Sequence, residues 1–368
     1  MSKLFEQTTI NGMTVSNRFV RSATWEGMAT DDGACTPKLI DLMANLAKGG
    51  VGLIVSSHAY VQKEGQATPW QLGVDKDELI PGLKDMTDAV HENGGKIVMQ
   101  LSHGGFFSYP KLTGQTPMAP SKVEGIAKSP RKEMTVDDIQ HVIRAFEVGA
   151  KRAKDAGFDG VQIHSAHGYL PSQFLSPVFN QRNDKYGGDI QNRARLHVEV
   201  VKLIRQTVGK NYPVLIKMNC QDFIENGLDL QDSLQAAQML ANAGIDAIEL
   251  SGGVLTGGKL NPSRMGIKSE DKEAYFQKEA KAFKSQIDVP LILVGGNRSY
   301  QVAERLVEQG VADYISMSRP FVREPDLIKR WKSGDLQKAA CVSDNMCFKP
   351  AMKGDGIYCV TEEREKRK

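Results

Sequence analysis

The sequence contains no apolar stretch that approaches eighteen residues, the length that a membrane-spanning helix needs. Its first residues, MSKLFEQTTINGM, lack the apolar core of a signal peptide. Cysteine is scarce, with five residues in 368, and an odd, sparse set is not typical of a disulfide framework. These absences predict a protein of the reducing cytoplasm with no membrane partner.

An excess of charge of one sign is also missing. Lysine and arginine total 47 against 44 aspartates and glutamates, which leaves a formal charge of +3. Basic residues form no run before the mixed-sign tail EEREKRK. We therefore expect no nucleic-acid partner, since that binding depends on neutralising phosphates. The hydrophobic share of 40% is ordinary for a globular protein with a sizeable core.

Short apolar runs recur along the chain and alternate with amphipathic stretches. Four of them follow a glycine that ends a helix, within residues 46–57, 153–165, 240–252 and 306–318. Four others lie within residues 17–23, 94–102, 212–219 and 289–296. Alternating strands and helices indicate a parallel sheet that is buried on both faces.

Eight such units predict an α/β protein, a (β/α)8 TIM barrel over residues 1–335. Residues 336–368 would form a short C-terminal cysteine-bearing segment, packed on the barrel or trailing from it. An open doubly wound sheet is the alternative, but no glycine-rich dinucleotide turn follows the first run. Two long irregular segments, 102–134 and 255–271, are predicted to be functional loops at the mouth.

The C-terminal ends of barrel strands carry the chemistry of such folds. Gly295 and Gly296 follow the seventh predicted strand, and Ser318 and Arg319 follow the eighth. Together they offer backbone N–H groups and a guanidinium to a phosphate. The alternative is a tight turn at the glycines and an arginine paired with a carboxylate.

His164, His167 and Tyr169 follow the fourth predicted strand. A His-x-x-His pair can hold zinc, but too few further ligands lie nearby, so we predict no metal site. Structural histidines are the other alternative. Neutral imidazoles and a phenol suit the polarisation of a carbonyl oxygen and the delivery of one proton.

The segment VQIHSAHGYLPSQFLSPVFNQRNDKYGG (161–188) resembles the signature of the old yellow enzyme family of FMN-dependent oxidoreductases. SNRFVRSATWEG, KIVMQLSHGG, LILVGGNRS and ADYISMSRPFVREPDL fit the same family in order. The resemblance covers residues 3 to about 335 and is closest to the branch with trimethylamine dehydrogenase and 2,4-dienoyl-CoA reductase.

This resemblance implies FMN at the barrel mouth, with NADH or NADPH as the reductant. Tyr169 matches the proton donor, and His164 and His167 match the pair that holds the substrate oxygen. Lys217 stands where the family usually has arginine, beside the flavin. The implied cofactor-binding residues are Ala23, Thr24, His58, Gln100, Lys217, Gly295, Gly296, Ser318 and Arg319.

The implied activity is reduction of the C=C bond of a small α,β-unsaturated carbonyl compound. Amine oxidation within the family, a phosphate-binding barrel isomerase or aldolase that uses Lys217, and a flavin-binding barrel without catalysis are the alternatives. A homo-oligomer is left open.

Two further positions, besides Lys217, depart from the family. Trp25 stands where many relatives have a cysteine or threonine, which puts the flavin potential in doubt. Cys341, Cys347 and Cys359 match an iron–sulfur segment of that branch, but Asp344 occupies the second ligand position. Since thiolates are the usual ligands, we expect no stable cluster.

Overall fold

A computed structural model describes residues 2–123 and 131–367. Eight parallel strands close into a barrel in chain order, because the last strand pairs with the first. The strands are β1 Phe19–Arg21, β2 Leu53–Tyr60, β3 Ile97–Ser102, β4 Gly160–Ser165, β5 Val214–Asn219, β6 Ala247–Ser251, β7 Leu291–Leu293 and β8 Tyr314–Met317. The predicted TIM barrel is confirmed, and the doubly wound alternative is wrong.

Helices cover the outside of the barrel and connect its successive strands. The main ones are α1 Pro37–Lys48, α2 Ile80–His91, α3 Val136–Asp155, α4 Arg195–Val208, α5 Leu230–Ala243, α6 Gln277–Lys284, α7 Tyr300–Glu308 and α8 Leu327–Lys332. Short helices lie at Pro110–Thr113, Leu170–Leu175, Ile190–Arg193, Arg319–Arg323, Phe348–Ala351 and Val360–Lys366. None of the described helices is long and apolar enough to cross a membrane.

The sequence determines where several of these helices begin and end. Thr135 and Asp138 form a capping box at the start of α3, so each side chain binds the other's backbone N–H. Asp229 caps α5, which ends at Gly244 with a φ of 104°. A left-handed φ is inexpensive for glycine, so the chain turns there and enters β6.

A β-hairpin closes the end of the barrel opposite the strand C-termini. Its strands, Thr8–Ile10 and Met13–Val15, are joined by Asn11 and Gly12, both with positive φ. Ile10, Met13 and Val15 belong to one buried cluster with interior side chains of the barrel strands. The hairpin therefore covers this end of the barrel interior.

The segments outside the barrel plan pack around the mouth. Residues 102–134 contain two short strands, Met118–Ala119 and Lys132–Glu133, in their described part. The C-terminal segment contacts the barrel through Ile357 N–H, which donates to Glu26 O, and Gly266 N–H, which donates to Ser343 O. The boundary at residues 335 and 336 remains a prediction.

Candidate active site

A cleft opens at the C-terminal ends of the strands. Every residue that the sequence singled out for catalysis or cofactor binding lines it, except Gly295. These are Ala23, Thr24, His58, Gln100, His164, His167, Tyr169, Lys217, Gly296, Ser318 and Arg319. The cleft is therefore the candidate active site.

The end of β4 brings two imidazoles and a phenol together. His164 is the last residue but one of β4, and His167 follows in a left-handed turn with a φ of 65°. The ring centres of these histidines lie 5.3 Å apart at 81°. Gly168 continues the turn, so that the Tyr169 ring lies 4.3 Å from the His164 ring at 32°.

The two histidines differ in their hydrogen bonds. His167 Nε2 lies 2.8 Å from Ser251 Oγ, and the His167 backbone N–H donates to Asn219 Oδ1. Within the described residues, His164 Nδ1 is buried and has no hydrogen-bond partner. A buried polar atom without a partner is costly, so the described part of the chain leaves the His164 ring incompletely hydrogen-bonded.

Burial keeps the three side chains uncharged at neutral pH. It lowers the pKa of His164 well below the ordinary value, and His167, His58 and Lys217 lower it further. Burial and Lys217 lower the pKa of His167 in the same way. Burial raises the pKa of Tyr169 above 10, so the phenol keeps its proton. These three side chains can donate hydrogen bonds and one proton without themselves carrying a positive charge.

His58 makes a contact that the sequence did not predict. Its Nε2 lies 3.2 Å from Tyr169 Oη, and burial lowers the pKa of His58 to about 4. The contact joins residues 111 positions apart, at the ends of β2 and β4. His58 therefore lines the cleft and also orients the phenol.

Lys217 belongs to a polar network inside the barrel. Its Nζ lies 2.6 Å from Ser22 Oγ and 3.2 Å from Glu249 Oε1. Burial by itself raises the pKa of Glu249, but Lys217 and three hydrogen bonds outweigh burial and lower the net pKa. Sequence reasoning missed Glu249, although it is the one charged residue in the apolar run of β6.

The Gly-rich turn and the start of the helix after β8 form the other end of the cleft. Gly296 has a φ of 78°, and a Cβ there would lie 2.9 Å from the Tyr275 ring. Gly295 has a φ of 139° and lies beside the cleft wall, with its C=O bound to Tyr275 N–H. Among residues 2–123 and 131–367, the amides of Gly296 and Ser318 have no hydrogen-bond partner.

Two side chains at this end are held by neighbours. Arg319 Nη1 donates to Asn345 Oδ1 at 2.7 Å, and Ser318 Oγ lies 2.6 Å from Thr24 Oγ1. Arg319 is thus tied to the C-terminal segment, and among the described residues it forms no ion pair with a carboxylate. Trp25 also lines the cleft, and its indole N–H donates to Pro69 O.

The C-terminal segment reaches the cleft through Ser343 and Phe348. Asp344 accepts hydrogen bonds from Met346 N–H and Thr361 Oγ1, so its carboxylate holds the local turn together. In the part of the chain that the structure describes, no group of three or more His, Cys, Asp or Glu side chains is arranged to hold a metal ion. The expectation about an iron–sulfur cluster stays a prediction.

Comparison with known proteins gives consistent results. The sequence model of the NADH:flavin oxidoreductase / NADH oxidase family matches residues 3–338. An NADH oxidase of Thermoanaerobacter brockii is 35% identical over 352 residues, which cover 93% of this chain and 53% of that protein. The chain therefore spans about half the length of that relative.

An NADPH dehydrogenase of Bacillus subtilis is 33% identical over 325 residues, which cover 88% of this chain and 92% of the relative. The structure of an old yellow enzyme homologue from Zymomonas mobilis superimposes with a TM-score of 0.78 at 28% identity. That alignment covers 93% of this chain and 96% of the other.

Proposed function

Because the chain belongs to the NADH:flavin oxidoreductase / NADH oxidase family, FMN is its cofactor, and we propose that it reduces the C=C bond of α,β-unsaturated carbonyl compounds with NADH or NADPH. The observation that carries the proposal is the set of His164, His167 and Tyr169 in the cleft. The rings of these side chains are in contact, and all three are uncharged hydrogen-bond donors. Such a set suits a carbonyl oxygen that accepts hydrogen bonds and a nearby carbon that accepts a proton.

The residues present fit FMN. Gly296 lets the Tyr275 ring pack closely against the turn, and the unpartnered amides of Gly296 and Ser318 suit phosphate oxygens. Arg319 would add the guanidinium, and Gly295 would make the turn. Gln100 and Lys217 would contact the polar edge of the ring, and Ala23, Thr24 and His58 would line it.

The chain's own residues orient the acceptor and supply the proton. FMN, when bound, supplies the hydride chemistry between NAD(P)H and the acceptor. His164 and His167 would donate hydrogen bonds to the acceptor's carbonyl oxygen and so stabilise negative charge that develops there. Tyr169 would donate its phenolic proton to the carbon next to the carbonyl. The net result is addition of one hydride and one proton across the C=C bond.

The proposal is tested with the purified protein and two half-reactions. Mass spectrometry should identify the released cofactor as FMN. Anaerobic NADH or NADPH should bleach the flavin absorption, and 2-cyclohexenone should then restore it with one equivalent of cyclohexanone. Bleaching that 2-cyclohexenone and other enones fail to reverse would contradict the proposed substrate class, and protein without FMN would contradict the whole proposal.

A further inference from the structure

The carboxylate of Glu249 is fully buried beneath the cleft and does not line it. Oε1 accepts hydrogen bonds from Ser22 Oγ at 2.7 Å and Ser316 Oγ at 2.8 Å, and it lies 3.2 Å from Lys217 Nζ. Oε2 accepts a hydrogen bond from Gln162 Nε2 at 3.0 Å. A charged group held by partners from four other parts of the barrel has a fixed position.

Glu249 also determines how many hydrogen-bond donors of Lys217 remain for a ligand. The Lys217 ammonium has three N–H donors, and Ser22 Oγ and Glu249 Oε1 take two of them. Lys217 lines the cleft, so one donor remains for a ligand. Without Glu249, the flexible four-carbon side chain of lysine would lose one of the two contacts that hold its end.

The network continues towards a second ligand group. Gln162 Oε1 accepts a hydrogen bond from Gln100 Nε2 at 2.7 Å, and Gln100 lines the cleft. Glu249 therefore connects two cleft side chains, Lys217 directly and Gln100 through Gln162. Both are residues that we assign to the polar edge of the flavin.

We propose that Glu249 is a positioning residue that orients Lys217 and offsets its charge beside the flavin, and so keeps the reduction potential of the cofactor low. The inference rests on the proposed function, because it needs FMN next to Lys217. A lone cation at this place would stabilise the anionic reduced flavin. A buried carboxylate 3.2 Å from the cation opposes that stabilisation.

The test is the midpoint potential of the bound flavin in the holoenzyme. In Glu249→Gln the amide keeps the shape of the side chain but removes the negative charge. We expect the equilibrium between oxidised and two-electron reduced flavin to shift about tenfold towards the reduced form, which is a rise of about 30 mV. Glu249→Asp keeps the charge and should retain most of the wild-type potential.

A second buried ion pair provides a matched control. Glu26 is 1% exposed, pairs with Arg21, and does not line the cleft. Glu26→Gln makes the same chemical change away from Lys217, and its potential should stay close to that of the wild type. Equal shifts in both glutamine variants, or no shift in Glu249→Gln, would overturn the inference.

If Glu249→Gln does not give folded holoenzyme, Ser316→Ala answers the same question. It removes one hydrogen-bond donor from the carboxylate, which stays charged beside Lys217 but is less compensated by its neighbours, so the potential should fall slightly. A potential equal to or above the wild-type value would overturn the inference. Wild-type protein without FMN would contradict the proposed function itself, whereas bound FMN with an unresponsive potential contradicts only the role of Glu249.

Discussion

At the scale of single residues, Tyr169 differs from its two histidine neighbours because a phenol is a stronger acid than a neutral imidazole, which suits the proposed role of proton donor. Its ring is held between His164 and His58, at centre distances of 4.3 Å and 5.4 Å. Burial keeps it protonated, and His58 Nε2 gives its hydroxyl a partner. The role proposed for Tyr169 can therefore be tested separately from the oxygen-binding role proposed for the histidines.

Tyr169→Phe should slow the reaction with an enone and leave flavin reduction by NAD(P)H intact. The substitution keeps the ring and its packing but removes the acidic proton. We expect the oxidative half-reaction to slow by roughly 10²–10⁴-fold, the usual contribution of a positioned general acid. Stopped-flow absorbance of the flavin measures both half-reactions separately.

Tyr186→Phe is the matched control. Tyr186 is buried, its hydroxyl binds Glu199 and Gln140, and it does not line the cleft. Both half-reactions should keep their wild-type rates in this variant. If Tyr169→Phe slowed both half-reactions equally, the proton would come from elsewhere.

Site residues at the ends of strands could be predicted from the sequence, whereas the contacts that they make across the barrel could not. His164, His167 and Tyr169 lie within six residues, so their spacing already brings them to one strand end. Glu249 and His58 act through partners 32 and 111 positions away. Those contacts depend on strand register, which a single sequence does not show.

At the scale of elements, the turn after β7 has a backbone that only glycine adopts without strain. Gly296→Ala should lower the affinity for FMN at least tenfold. A methyl group at a φ of 78° strains the turn, and it would lie 2.9 Å from the Tyr275 ring, where the phosphate end of the cleft is built. Titration of apoprotein with FMN, followed by flavin fluorescence, measures the dissociation constant.

Gly310→Ala separates backbone strain from the cleft. Gly310 also has a left-handed φ, 67°, but no atom lies within 4 Å of its added Cβ. It follows α7 on the exposed surface and should cost stability without changing FMN affinity. Equal loss of FMN affinity in both variants would contradict a specific role for Gly296.

The eight strands were predictable because each is a continuous buried run bounded by glycine or polar residues. The N-terminal hairpin was missed, although TTINGMTV carries the Asn-Gly turn between two alternating segments. Its strands have only three residues each, too few for periodicity to stand out from chance. The signal that predicts this hairpin is therefore the Asn-Gly turn and not the pattern of its strands.

At the scale of the whole molecule, burial of histidine predicts how stability depends on pH. His58, His103, His164 and His197 are buried and His167 is half-buried, and desolvation lowers the pKa of each below the ordinary 6.5. For His58 and His103 the pKa is about 4. As the pH falls, these histidines therefore bind protons near pH 6.5 in the unfolded chain, whereas in the folded chain His58 and His103 bind them only near pH 4.

The free energy of unfolding should be highest above pH 6.5 and fall as the pH is lowered from 6.5 towards 4. Each buried histidine contributes up to about 1.4 kcal/mol per pH unit in this range. Urea unfolding at pH 7.5, 6.5 and 5.5 measures the slope. His197→Asn should make it shallower, whereas His141→Gln, at an exposed position, should leave it unchanged. A slope that is flat across this range would show that the buried imidazoles accept protons in the folded state.

The barrel cannot close until its last strand has been synthesised. Phe19 of β1 pairs with Ile315 of β8. One edge of the first strand therefore stays unpaired until a strand roughly 300 residues later has been synthesised. At about 5–20 residues per second, the ribosome needs roughly 15–60 s to reach it. During that time one side of β1 is an open edge that another chain can join. The yield of folded protein in a cell therefore depends on whether this edge of β1 is kept from pairing with other chains until β8 has been synthesised.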